Sequence, residues 1–160
     1  MYNVLVNTHV IQPNTLQWKQ IAVEFHQIWN FPNCTGATNG KHIAIQAPNN
    51  SGSLFFNYKH FHSIILMAVC DARYNFTLID LGAYGREGDA SVFNLSRLSS
   101  CLDNGSLGFP PCAKLPHSNN ILPYFFVGDE AFPAKPTLVR PFPGRRTGCL
   151  SLKMNVFNYR

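Results

Sequence analysis

Charge is scarce in this sequence: Asp, Glu, Lys and Arg together make up 13% of its 160 residues, about half the usual share. With 46% hydrophobic residues, that composition excludes a coiled coil and a disordered polar tail, and it calls for one domain with a real core. No apolar run approaches the 18 or so residues of a membrane span, and residues Met1 to Val10 carry no positive region ahead of an apolar stretch. The expectation is a soluble, unsecreted chain, nuclear or cytoplasmic, with no membrane partner. Cys-x-x-Cys is absent, and the five cysteines, Cys34, Cys70, Cys101, Cys112 and Cys149, are odd in number and irregular in spacing. Neither a disulfide framework nor a zinc knuckle fits them. Carboxylates are missing from the end of the chain: none follows Glu130, whereas Lys135, Arg140, Arg145, Arg146, Lys153 and Arg160 do. The formal charge of +5 is therefore concentrated in a basic C-terminal segment, which would attract a polyanion.

Apolar residues at helical offsets, Leu16, Ile21, Phe25, Ile28 and Trp29, predict an amphipathic helix over 14–29 with Asn14 or Thr15 as its N-cap. Alternation in Cys34 to Ala47 predicts a strand with a kink at Asn39-Gly40 before its regular part. The runs Phe61 to Ala72 and Phe76 to Leu81, separated by the Asp71 to Asn75 turn, predict a buried antiparallel hairpin. Ser91 to Leu102 reads as one short helix, 104–120 as a loop, and Ile121 to Val127 as a further core strand. Prolines 133, 136, 141 and 143 then argue against regular structure until about Cys149, with no complete closing helix. This order suggests an α/β layer of the ribonuclease H kind, a mixed sheet flanked by helices. Flavodoxin-like and ferredoxin-like arrangements fit the same order of elements. The Ile43 strand and the two hairpin strands are expected to be antiparallel neighbours, with the Tyr124 run beside the Ile43 strand on its opposite side.

Six strings occur in register: Trp29-Asn30-Phe31-Pro32-Asn33-Cys34, Gly36-Ala37-Thr38-Asn39-Gly40-Lys41-His42, Ser51-Gly52-Ser53, Asn57-Tyr58-Lys59, Gly82-Ala83-Tyr84-Gly85-Arg86 with Asp89, and Val127-Gly128-Asp129-Glu130-Ala131-Phe132-Pro133. Together they resemble the nuclease domain of PIF/Harbinger transposases and of the animal nucleases derived from them, a DDE superfamily endonuclease domain, from about Leu16 to Arg160. The resemblance divides the chain into an N-terminal segment, 1–33, and a partial nuclease domain, 34–160. It implies a ribonuclease H-like fold, incomplete at the C-terminus, whose carboxylates bind Mg²⁺ or Mn²⁺ and cut DNA. Carried over residue by residue, the family's catalytic and metal positions fall on Asn39, Asp89 and Asp129. At Asn39 the family's Asp is a neutral amide, and the family's Glu, on a later helix, has no counterpart before Arg160. Two-metal phosphoryl chemistry needs anionic oxygens, and an amide carbonyl supplies a ligand without the charge.

Each of these positions has a plainer reading. Asp129 could cap a helix or a turn, Asp89 could be a helix N-terminal acid, and Asn39-Gly40 could form a tight turn. Adjacent strand residues point to opposite faces, which sets Glu130 outside Asp129's site. His42 and the His60-x-His62 pair read as structural, as do Cys101, Cys112 and His117. For DNA contact the candidates are Lys41, Lys59, Arg86, Arg145 and Arg146, with the aromatic neighbours Tyr58 and Phe61. The expected function is a Harbinger-type nuclease domain, by descent a divalent-metal-dependent DNA endonuclease and inactive in this chain. The alternatives are a non-catalytic module that binds DNA or a protein partner, such as a DNA-binding protein, and a truncated product without function.

Overall fold

The computed structural model describes residues 12–144 and 150–159; Arg145, Arg146, Cys149 and Arg160 lie outside the described residues. Helix α1, Thr15–Trp29, starts in a capping box: the Asn14 side chain accepts from the backbone N–H groups of Leu16 and Gln17, and Gln17 Oε1 accepts from Asn14 N. It ends where Asn30 turns into the left-handed region at φ 51°. Its buried face is Trp18, Ala22 and Phe25, a one-sided stripe at i, i+4 and i+7. This corrects the expected stripe. Leu16, Ile28 and Trp29 are exposed, because Trp18, bonded to Leu107 O and packed on Phe109 and Phe126, takes the inward side of the helix.

Strands β1 (Cys34–Ala44), β2 (Ser63–Cys70) and β3 (Phe76–Tyr84) follow, then the short helices α2 (Asp89–Leu95) and α3 (Arg97–Asp103). A two-stranded ribbon, β4 (Ala113–Lys114) and β5 (Ile121–Leu122), precedes β6 (Phe125–Gly128), β7 (Leu138–Val139) and α4 (Leu152–Tyr159). The main sheet runs β3-β2-β1-β6-β7, antiparallel between β3, β2 and β1, and parallel from β1 through β6 to β7. The antiparallel trio and the place of the Tyr124 run beside β1 are as expected, and the mixed sheet flanked by helices is a ribonuclease H-like arrangement.

Local chemistry accounts for the joins. Asp71 closes the β2–β3 turn by accepting from Arg73 N and Asn75 N, with Tyr74 at φ 68°. Asn33 Nδ2 donates to the carbonyls of Ala113 and Leu122, tying the ribbon to the start of β1.

Six further expectations are corrected. The Asn39-Gly40 pair lies inside β1 and is no kink ahead of it. Residues 91–102 form two helices rather than one, because Ser96 leaves the helical region at ψ 153°, donates to Phe93 O and caps α3 by accepting from Ser99 N. Pro123 splits the 121–127 run into β5 and β6, and the 104–120 loop contains β4. The proline-rich stretch holds β7, since Leu138 and Val139 fall between prolines 136 and 141 and pair with Phe126 and Val127. Finally, α4 forms, seated by Phe157 against Phe31 and Phe142.

The main core joins Trp18 to the inward residues of β2, to Val92 and Phe93, and to Phe126, Phe132 and Leu138. A smaller cluster holds Phe25, Cys34, Ala72 and Phe125. Within it Cys34 is fully buried, and burial pushes its thiol up to about 12 despite hydrogen bonding with the Gly36 and Val127 backbone. The thiolate is the reactive form. Iodoacetamide near neutral pH should therefore modify exposed Cys112 and leave Cys34 untouched until urea unfolds the chain, as read by peptide mass mapping. Equal labelling of the two in the native protein would mean that the start of β1 opens to solvent.

Candidate functional site

Strands β1 and β6 run parallel with Thr38 opposite Gly128. The next residue on each chain is Asn39 and Asp129, so these two candidates sit side by side, about one strand spacing apart. Both are exposed. Asp129 is the first residue past β6, and its Oδ1 accepts from Glu130 N at 2.6 Å. The Asn39 carbonyl accepts from Gly40 N at 2.7 Å. Each side chain thus keeps one oxygen on a local backbone N–H.

Asp89 approaches β1 from the other side. A Cβ added to Gly40 would stand 2.5 Å from Asp89 Oδ1 and 2.8 Å from its Cγ, so the carboxylate packs directly on the Gly40 backbone. Successive strand residues face opposite ways, which puts Asn39 on the far face from Asp89. The structure brings Asn39 and Asp129 together and leaves Asp89 across the sheet from Asn39. Asp89 Oδ1 is buried with no hydrogen-bond partner among the described residues, and Gly88, the N-cap of α2, offers no side-chain cap. Gly128 is required for the same kind of reason: a Cβ there would meet the Phe132 ring at 2.6 Å. Sequence reading assigns Gly40 a turn role and Gly128 a place in the string before Asp129, but reads neither as a close-approach position. The signal available was their position, one directly after Asn39 and the other directly before Asp129.

A pair of divalent cations needs several anionic oxygens converging on one volume. The β1–β6 face supplies one carboxylate and one amide, and no group of three or more His, Cys, Asp or Glu suited to a metal occurs among the described residues. The described donor set does not fit a two-metal centre.

The other candidates lie on β1 and on the connections that follow it and β3. Lys41 is exposed on β1, two residues beyond Asn39. Lys59 lies in the β1–β2 connection, with its Nζ 5.4 Å from the Tyr58 ring centroid. Arg86 follows β3 and donates its backbone N–H to Leu54 O. His42 is engaged structurally, its Nδ1 at 2.8 Å from Ser63 Oγ; Asn57 Nδ2 donates to the same hydroxyl. Part of the basic C-terminal segment is used internally. Arg140 Nη1 donates to the carbonyls of Glu130 and Phe132, which braces the turn behind Asp129. Lys135 pairs with Asp103 at 2.7 Å.

A family model described as DDE superfamily endonuclease matches residues 38–160. "Protein ALP1-like" of Arabidopsis thaliana is 30% identical over 155 residues, which is 95% of this chain and 36% of that protein. "Putative nuclease HARBI1" of Rattus norvegicus is 33% identical over 82 residues, 51% of this chain and 24% of that protein. Its namesake from Mus musculus is 28% identical over 120 residues, 75% of this chain and 30% of that protein. The chain thus spans between 24% and 36% of the length of these relatives. No solved structure matches it.

Proposed function

The chain belongs to the DDE superfamily endonucleases, on the Harbinger-derived branch, and from that premise we propose a nuclease domain that contacts DNA without cutting it. The observation carrying the proposal is the β1–β6 register, whose last pair is Thr38 opposite Gly128, so that the neutral Asn39 on β1 and Asp129, just past the end of β6, follow it on adjacent parallel segments. Family members generally use divalent metal, which when bound activates the attacking oxygen and stabilises the leaving one. Among the described residues, Asp129 contributes a negative charge beside the Asn39 amide, whose oxygen carries none. Asp89, packed under Gly40, positions β1 from behind and is a positioning residue. Lys41, Lys59, Arg86, Arg145 and Arg146 supply phosphate contacts, with no base-specific reading.

Nicking of supercoiled plasmid in Mn²⁺ tests this. The chain and its Asn39→Asp form should both leave the plasmid supercoiled, since the substitution brings the face to two carboxylates and a third is still wanting among the described residues. Cutting by the unmodified chain, abolished by Asp129→Ala, would overturn the proposal. No helix among the described residues is long and apolar enough to cross a membrane.

A further inference from the structure

The end of β1 and its connection to β2 carry an unusual surface. Residues 41–63 hold Lys41, His42, Lys59, His60 and His62 and no Asp or Glu. Two aromatic rings stand out from it, Tyr58 at 74% and Phe56 at 42% exposed. Hydrophobic rings of this size ordinarily seek the core; here Tyr58 touches His42 and the Lys59 ammonium over one face of its ring, and Phe56 lies against His60 and His62, so both keep solvent-facing surface. They are not loosely held. Asn57 is buried; its side-chain oxygen accepts from Lys59 N and Phe61 N, and its amide donates to the buried Ser63 hydroxyl. A bridge pairs Phe56 with His62. Tyr58 is set edge-on to His42 at 5.5 Å between centroids, and Phe56 rests against His62 at 5.3 Å. The lobe is therefore a preorganised display of aromatic faces next to cations, and binding would require little further ordering.

We infer that this lobe is a stacking platform for the unpaired bases of single-stranded DNA, with Tyr58 as its principal ring and Lys59 as its adjacent phosphate contact. Base faces stack on exposed aromatic rings when they are not already stacked in a duplex, and cations alongside follow the backbone. The absence of carboxylates from the segment removes the repulsion a phosphate chain would otherwise meet. The inference deepens the DNA-contact reading above and rests on it, but it involves no metal and no cleavage.

Fluorescence anisotropy with a labelled oligothymidine and with a duplex of equal length, both in EDTA, separates the two claims. The 160-residue chain should bind the single strand more tightly than the duplex. Tyr58→Ala should weaken single-strand binding at least about fivefold, leaving duplex binding and the circular dichroism spectrum unchanged. Tyr58→Phe should retain the wild-type affinity, because the ring face does the stacking. Lys59→Gln should reduce the salt slope for the single strand by about 0.7. Equal binding of both forms with no response to Tyr58→Ala would overturn the platform while leaving DNA contact intact. No binding to either form at low salt would overturn the platform and the DNA-contact reading together.

Discussion

Replacing Trp18 by alanine is expected to destabilise the domain by about 3–5 kcal/mol, the range for deleting a fully buried large aromatic. Trp18 is wholly inaccessible, its indole N–H donates to Leu107 O at 2.9 Å, and its ring meets Phe109 and Phe126 edge-on at 5.4 and 5.6 Å. The substitution would open a cavity where α1, β6 and the segment after α3 meet, and would leave a buried carbonyl without its donor. Urea unfolding followed by circular dichroism should show the loss, with a fall in Tm of about 10 °C. Trp29 provides the contrast. It is 41% exposed and holds one hydrogen bond, to Ala72 O, so Trp29→Ala should cost only about 1 kcal/mol. If Trp29→Ala were the costlier of the two, the orientation of α1 on the sheet would be wrong.

The contrast between the two tryptophans shows where sequence reading stops. Both lie in the same amphipathic helix, and periodicity alone allows an apolar stripe on either side of Ile21; tertiary contact with Phe126 decides between them. The sheet was more legible, because the continuous apolar runs on either side of the Asp71–Asn75 turn are local signals that fix a hairpin. The break at Ser96 was not, since one serine among good helix residues reads as an interior position until its hydroxyl is seen capping α3. At the site, the adjacency of Asn39 and Asp129 could be anticipated from two strings ninety residues apart only through the family resemblance. That Asp89 lies on the opposite face could not, because it depends on the close approach that glycine at position 40 permits.

The second large effect concerns charge. Asn39→Asp adds a unit negative charge beside Asp129 at almost no change in volume. Two unit charges 4 Å apart in water interact by about 1 kcal/mol, and a divalent ion doubles this, so Mn²⁺ affinity should rise about thirtyfold. The gain should require Asp129, as both oxygens would hold the same ion. It should be insensitive to Asp89→Asn, which acts on the other side of β1.

Calorimetric titration of Mn²⁺ into the unmodified chain, Asn39→Asp, and Asn39→Asp combined with Asp129→Ala tests the central claim most directly. The unmodified chain should bind weakly, Asn39→Asp about thirtyfold more tightly, and the double variant no better than the unmodified chain. Tight binding by the unmodified chain, or a gain that survives Asp129→Ala, would contradict the assignment of Asn39 and Asp129 as the paired and undercharged remnant of a metal site.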